Sequence, residues 1–212
     1  MKHLASIAVA SLVTVLTTFA GPVEPISGKS TEAGPPLVAY DPLEHWEIGY
    51  ETASLWSFGG NATPLSYVFL PQIITIKSRP VLSFDVGGGK LVVRNRLSLL
   101  GEAIIEGPES YFFGVTAGAS MEWWNAPRNF SVFLSAGGGV GVLDSRGYEI
   151  PGGQGQDFNL TWYVHSGIRY RFSDHVSASL GVYYQHVSNG GQDEVNPGVD
   201  ALGPTIGVAW HF

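Results

Sequence analysis

The run Asp157-Phe158-Asn159-Leu160-Thr161-Trp162-Tyr163-Val164-His165-Ser166-Gly167-Ile168-Arg169-Tyr170-Arg171-Phe172 decides the fold. In it Phe158, Leu160, Trp162, Val164, Ile168, Tyr170 and Phe172 alternate with Asn159, Thr161, Tyr163, His165, Gly167, Arg169 and Arg171. Side chains of a strand point to opposite faces in turn, whereas a helix returns to one face only after three or four residues, so this pattern is a strand with one apolar and one polar face. The C-terminus repeats it, with Leu202, Pro204, Ile206, Val208, Trp210 and Phe212 set against Gly203, Thr205, Gly207, Ala209 and His211. Weaker alternation near 44–56, 65–78, 91–105, 111–124, 130–143 and 176–188 brings the count to eight candidate strands. Several are longer than the five or six residues usual in soluble sheets and suit tilted strands crossing a bilayer.

The connections sort into two kinds. After the second, fourth and sixth strands come 79–90, Asn125-Ala126-Pro127-Arg128-Asn129 and Ser173-Asp174-His175; after the odd ones come 57–64, 106–110, the Gly-rich 144–156 and the polar 189–200. Apart from 79–90, short turns fall at one end and the longest loops at the other, as in bacterial outer-membrane barrels with periplasmic turns and extracellular loops. The expected fold is an all-β, eight-stranded antiparallel transmembrane β-barrel of the outer membrane, closed so that no unpaired edge meets lipid.

Composition agrees. Of 212 residues only 14% are charged, against 44% hydrophobic, with 28 Gly and no Cys. A soluble domain usually carries about a quarter charged residues, so part of this surface is expected to face something other than water. Absence of Cys excludes a disulfide scaffold and thiolate metal sites. Eleven Lys and Arg against 18 Asp and Glu argue against a nucleic-acid partner, which requires a basic face. Residues 1–20, basic at Lys2, apolar from Leu4 to Leu16 and ending Thr18-Phe19-Ala20, have the form of a signal peptide and are short for a spanning helix. Pro22, Pro25, Pro35, Pro36 and Pro42 mark 21–42 as a flexible lead-in, leaving 43–212 for the barrel.

An eight-stranded barrel is just wide enough to be filled by side chains. Glu47, Glu51, Arg94, Arg96, Glu102, Glu122, Arg169 and Arg171 are therefore expected to form an internal polar network and not a pore lining. Trp123, Trp124, Trp162 and Trp210 are candidates for the aromatic girdles. Gly137-Gly138-Gly139 reads as close packing between strands. His45, His165 and His211 lack metal-ligand spacing and read as rim or interior histidines.

The chemistry gathers at Tyr184-Gln185-His186-Val187-Ser188-Asn189-Gly190-Gly191, followed by Asn196-Pro197-Gly198-Val199-Asp200. His186 and Ser188 are two apart and share a face. Asp200, across one loop, could return a carboxylate to the imidazole, bringing nucleophile, base and orienting acid to one rim. Counting back from His186 through Tyr184, Val182, Leu180, Ala178 and Val176 puts His186 and Ser188 on the apolar, lipid-facing parity. Polar groups facing lipid are costly unless they act there, which suits a lipid substrate.

The run His186-x-Ser188-Asn189, then Asn196-x-Gly198 and an acid at 200, resembles the active-site segment of the PagL-type lipid A 3-O-deacylases of the acyloxyacyl hydrolase-like family. Leu70-Pro71-Gln72 on the second strand and the terminal Phe212 add to a likeness that covers most of 43–212. The resemblance implies that Ser188 is the nucleophile, His186 the base and Asp200 the orienting acid, with Asn189 and Asn196 serving the oxyanion hole or its loop. It implies an outer-membrane esterase that takes lipid A or lipopolysaccharide as substrate and needs no metal or organic cofactor. The family's acid is typically Glu. Asp200 is a methylene shorter, so the backbone there must approach His186 more closely; Glu194 is the alternative acid. Two other readings are a phospholipid esterase and a non-catalytic barrel that binds lipopolysaccharide or partners through its loops. A homo-oligomer is compatible with each.

Overall fold

In the computed structural model, residues 41–58 and 65–212 are described; the expected signal peptide, and the lead-in up to residue 40, lie outside them. The strands are β1 (Glu47–Ala53), β2 (Leu55–Ser57), β3 (Val68–Lys77), β4 (Leu82–Val86), β5 (Gly89–Glu106), β6 (Tyr111–Trp124), β7 (Phe130–Leu143), β8 (Phe158–Arg171), β9 (Val176–Ser188) and β10 (Val199–His211). They make eight staves, because β1 with β2 lies between β10 and β3, and β3 with β4 runs along β5. Antiparallel pairing of β1 with β10, from Glu47↔His211 to Ala53↔Thr205, closes the barrel.

Two irregularities have local causes. The first stave breaks at Ser54, which lies against Gly203 so closely that a Cβ on Gly203 would fall 1.8 Å from the Ser54 carbonyl oxygen. The second bends at Pro80, which has no N–H to give to a ladder. The 79–90 segment is thus not the long connection its length suggests. It continues the strand as β4 and turns back through Gly87-Gly88 at φ 60° and 75°, a backbone that favours glycine.

Alternation holds around the barrel. On β8, Phe158, Leu160, Trp162, Ile168 and Tyr170 are exposed, while Asn159, Thr161, Tyr163, His165 and Arg169 are buried. The outward apolar side chains form the belt expected of a surface solvated by lipid. Inside, the half nearer the short turns holds charge. Lys77 Nζ bonds Glu122 at 2.5 Å and lies 3.4 Å from Glu47, and Arg169 bonds Glu47 at 2.5 Å. Further up, Arg96 holds Glu51 at 2.8 Å, and His165 lies between Arg96 (3.1 Å) and Thr205 (3.0 Å). The half nearer the long loops is closed by an apolar cluster that includes Leu55, Phe69, Ile73, Leu100, Tyr163 and Tyr183. At the turn end a 3-10 turn, Pro42–Glu44, tucks Leu43 against Val92 and Trp124, and Arg94 binds its carbonyl at 2.6 Å.

Three expectations are corrected. Trp124 belongs to no girdle: it is fully buried and donates its indole N–H to Glu122 at 3.2 Å. Arg171 sits at the turn-end rim, bonding the Arg128 carbonyl and Asp174. Lys77, absent from the expected network, is one of its central cations.

Candidate active site at the loop end of the barrel

Strand register brings the candidate residues together. On β9 the outward positions near the loop end are Tyr184, His186 and Ser188, all partly exposed between buried Tyr183, Gln185 and Val187. Asp200 on β10 is paired directly with His186, and on the other side His186 is paired with Trp162 and Ser188 with Leu160 of β8. Directly opposed residues of an antiparallel pair have Cβ atoms about 5 Å apart, a gap that a side chain as short as Asp can bridge. The closer approach demanded by the missing methylene is therefore supplied by register.

His186 Nδ1 lies 2.8 Å from Asp200 Oδ1, and Nε2 lies 2.9 Å from Ser188 Oγ. An ionised carboxylate only accepts, so Nδ1 carries the proton and Nε2 is left with a lone pair for the Ser188 hydroxyl. This is the tautomer a general base requires. The indole of Trp162 stacks on the imidazole at 5.7 Å between centroids and 29° between planes, which fixes the ring's tilt. His186 and Asp200 keep 23% and 29% of their side-chain surface exposed, so the site opens sideways, on the apolar belt.

The loop between β9 and β10 is fastened by its own asparagines. The Asn189 N–H donates to Asn196 Oδ1 at 3.0 Å, Asn189 Nδ2 donates to the Val195 carbonyl at 3.0 Å, and the Gly191 N–H donates to Asn189 Oδ1 at 2.9 Å. Asn189 is fully buried, so it builds the loop, while Asn196 has its oxygen pinned and its amide NH₂ as the remaining donor. Gly198 has φ 65°, and a Cβ there would stand 3.4 Å from His186 Cε1. Glycine thus lets the chain pass beside the imidazole. The 144–156 loop braces this one: the Gly155 N–H donates to the Val195 carbonyl at 3.0 Å and the Tyr148 hydroxyl to Asp193 at 2.9 Å, a bond that also raises the Tyr148 pKa. Glu194 is exposed on the same loop, and the carboxylate that bonds His186 is Asp200. Among the described residues no three His, Asp or Glu side chains converge as a metal site would need.

The family profile described as lipid A 3-O-deacylase (PagL) matches residues 36–209. This chain belongs to the PagL family. Among solved structures, the outer membrane enzyme PagL superposes with a TM-score of 0.51 at 14% identity, covering 76% of this chain and 97% of that one. Neisserial surface protein A gives 0.55 at 14% identity, covering 79% and 97%. No curated protein sequence matches the chain. At these identities the superpositions establish the barrel alone; family membership rests on the profile. As a PagL-family member the chain is a hydrolase with an outer-membrane barrel fold.

Within that family assignment, the expected His186, Ser188 and Asp200 meet at hydrogen-bonding distance, and Asn189 and Asn196 meet each other. Sequence reasoning missed Trp162 and Tyr184, whose hydroxyl donates to Asp200 Oδ1. Their parity was legible; their contacts depend on which residue of a neighbouring strand lies opposite, which alternation does not specify.

Proposed function

We propose that this PagL-family chain hydrolyses the ester-linked 3-hydroxyacyl chain at the 3 position of the lipid A glucosamine, with Ser188 as nucleophile, His186 as base and Asp200 as orienting acid. Ser188 Oγ attacks the ester carbonyl while its proton passes to His186 Nε2. Asp200 holds the ring and stabilises the imidazolium that forms. The tetrahedral oxyanion takes the Asn196 amide NH₂ as a donor, an interaction worth about 3 kcal/mol. Collapse breaks the bond to the sugar oxygen, which leaves with the proton from His186. Water, deprotonated by the same imidazole, then attacks the acyl-Ser188 ester and releases a 3-hydroxy fatty acid, restoring the Ser188 hydroxyl.

The observation that carries this reading is the His186 ring bridging Ser188 and Asp200 through its two nitrogens on the outward face of β9. An internal triad would be shut off from a bilayer substrate, whereas one on the outward, apolar face of the strand would open toward lipid. A non-catalytic barrel has no need of an aligned imidazole there.

Purified protein in detergent should release 3-hydroxy fatty acid from lipid A. A fluorophosphonate probe should label it at Ser188, and both results should vanish in Ser188→Ala. Release from glycerophospholipids at a rate equal to that from lipid A would favour the phospholipid esterase; labelling at another residue would remove the assigned nucleophile.

A further inference from the structure

Tyr184 stands two residues before His186 on the same outward face. Its hydroxyl donates to Asp200 Oδ1, the same oxygen that accepts from His186 Nδ1. The ring is held on both sides, by Trp162 at 4.7 Å and by Phe58 at 5.8 Å between centroids. The Phe58 backbone N–H in turn donates to the Asp200 carbonyl at 3.2 Å. Asp200 is therefore gripped at its backbone from the first stave and at its carboxylate from β9.

We infer that Tyr184 is a positioning residue for the reaction, fixing the Asp200 carboxylate so that His186 keeps its aligned tautomer; the inference rests on the triad reading above. A carboxylate at a partly exposed rim can rotate about χ1 and χ2 and be drawn off by water or cations. One hydrogen bond to an imidazole leaves much of that freedom. A second donor on the same oxygen, carried by a ring that two aromatic neighbours hold, removes it. Tyr184 touches neither Ser188 nor the reacting carbonyl in this scheme; it acts through Asp200. Three outward residues of β9 thus have a division of labour along one line: Ser188 attacks, His186 moves the proton, and Tyr184 steadies the acid on the neighbouring strand.

Tyr184→Phe deletes the hydroxyl and keeps the ring between Trp162 and Phe58, so the barrel should fold; the gel-mobility shift between unheated and boiled samples verifies this and gives the folded fraction for normalising rates. Steady-state kinetics on lipid A in detergent should show kcat reduced about tenfold, the scale of one hydrogen bond to a charged group, with KM within twofold of wild type. A group that merely lined the acyl path would raise KM and spare kcat. That split, or unchanged kinetics, overturns the Tyr184 inference. Ser188→Ala is assayed beside it: if that variant stays active, the triad reading itself falls and takes Tyr184 with it. An inactive Ser188→Ala with a fully active Tyr184→Phe overturns only the positioning role.

Discussion

Replacing Asp200 by Asn keeps the side chain's shape and removes its charge. Before proton transfer the base form of His186 carries no charge, so the carboxylate contributes mainly alignment. In the transition state the ring becomes an imidazolium 2.8 Å away from Asp200 Oδ1. Two unit charges centred about 4 Å apart attract by about 4 kcal/mol at an effective dielectric constant of 20. Because 29% of the Asp200 side chain is exposed, solvent screening reduces this to roughly 2–3 kcal/mol, a factor of about 30 to 150 in rate. The Asn amide could also donate to Nδ1, placing the proton on Nε2 and depriving Ser188 of its acceptor. Initial rates of 3-hydroxy fatty acid release from lipid A, read by mass spectrometry on folded protein in detergent, should fall by that factor in kcat while KM changes little. An Asp200→Asn variant within fivefold of wild type, or one impaired only in KM, would refute the orienting role.

Lys77→Met leaves Glu122 without its 2.5 Å partner in the barrel interior; stability should fall by about 3–5 kcal/mol, read as the urea midpoint of unfolding in detergent, and Lys77→Met/Glu122→Gln should recover part of it. A loss under about 1 kcal/mol would show that water reaches this network. Gly198→Ala forces a side chain into φ 65° and sets a methyl 3.4 Å from His186 Cε1; the strain of about 1–2 kcal/mol should shift the loop, lowering kcat about tenfold and stability by no more than that strain, and full activity would contradict this. Asp144 resists burial's upward push through N–H bonds from Ser110 and Tyr111, and Asp157 is lowered by the Ser145 hydroxyl and N–H, so both carboxylates titrate below their usual range. Their contribution to loop closure is complete above the unfolded value of about 3.9 and is lost as pH falls through the lower folded values. Hydrogen exchange at 106–111 and 144–157, corrected for intrinsic rate, should be flat from neutral pH to about 4 and rise below it; a rise centred above pH 5 would assign closure to other groups.

Most of the fold was legible because lipid outside and a packed polar interior impose opposite demands on alternate residues. Phe158 to Phe172 states that rule nearly without exception, and the parity of His186 and Ser188 followed from it. Pro80 broke the rhythm and made β4 look like a connection, although Leu82, Phe84 and Val86 alternate up to a Gly87-Gly88 turn. Trp124 and Lys77 were misjudged although each holds the inward parity of its strand, Trp124 with Glu122 two residues before it on β6 and Lys77 with Ile73 and Thr75 on β3; Lys77 meets Glu122 only across the barrel interior, a contact alternation does not specify. At the site, residue types and spacing indicated His186, Ser188 and Asp200, and the family resemblance assigned their roles. Register, which lets the shorter Asp200 carboxylate reach His186 and places Tyr184 and Trp162 beside the pair, had to come from the folded barrel.

Removal of one acyl chain from lipid A by Ser188 is decided by the mass spectrum of lipid A from Gram-negative cells that lack such an activity and express either the wild-type chain or Ser188→Ala at equal folded levels. Wild type should give a species lighter by one 3-hydroxyacyl group, lost from the 3 position, and Ser188→Ala should leave lipid A intact. Intact lipid A with the wild-type chain, or the same deacylated species with Ser188→Ala, would rule out Ser188 as the nucleophile of this deacylation.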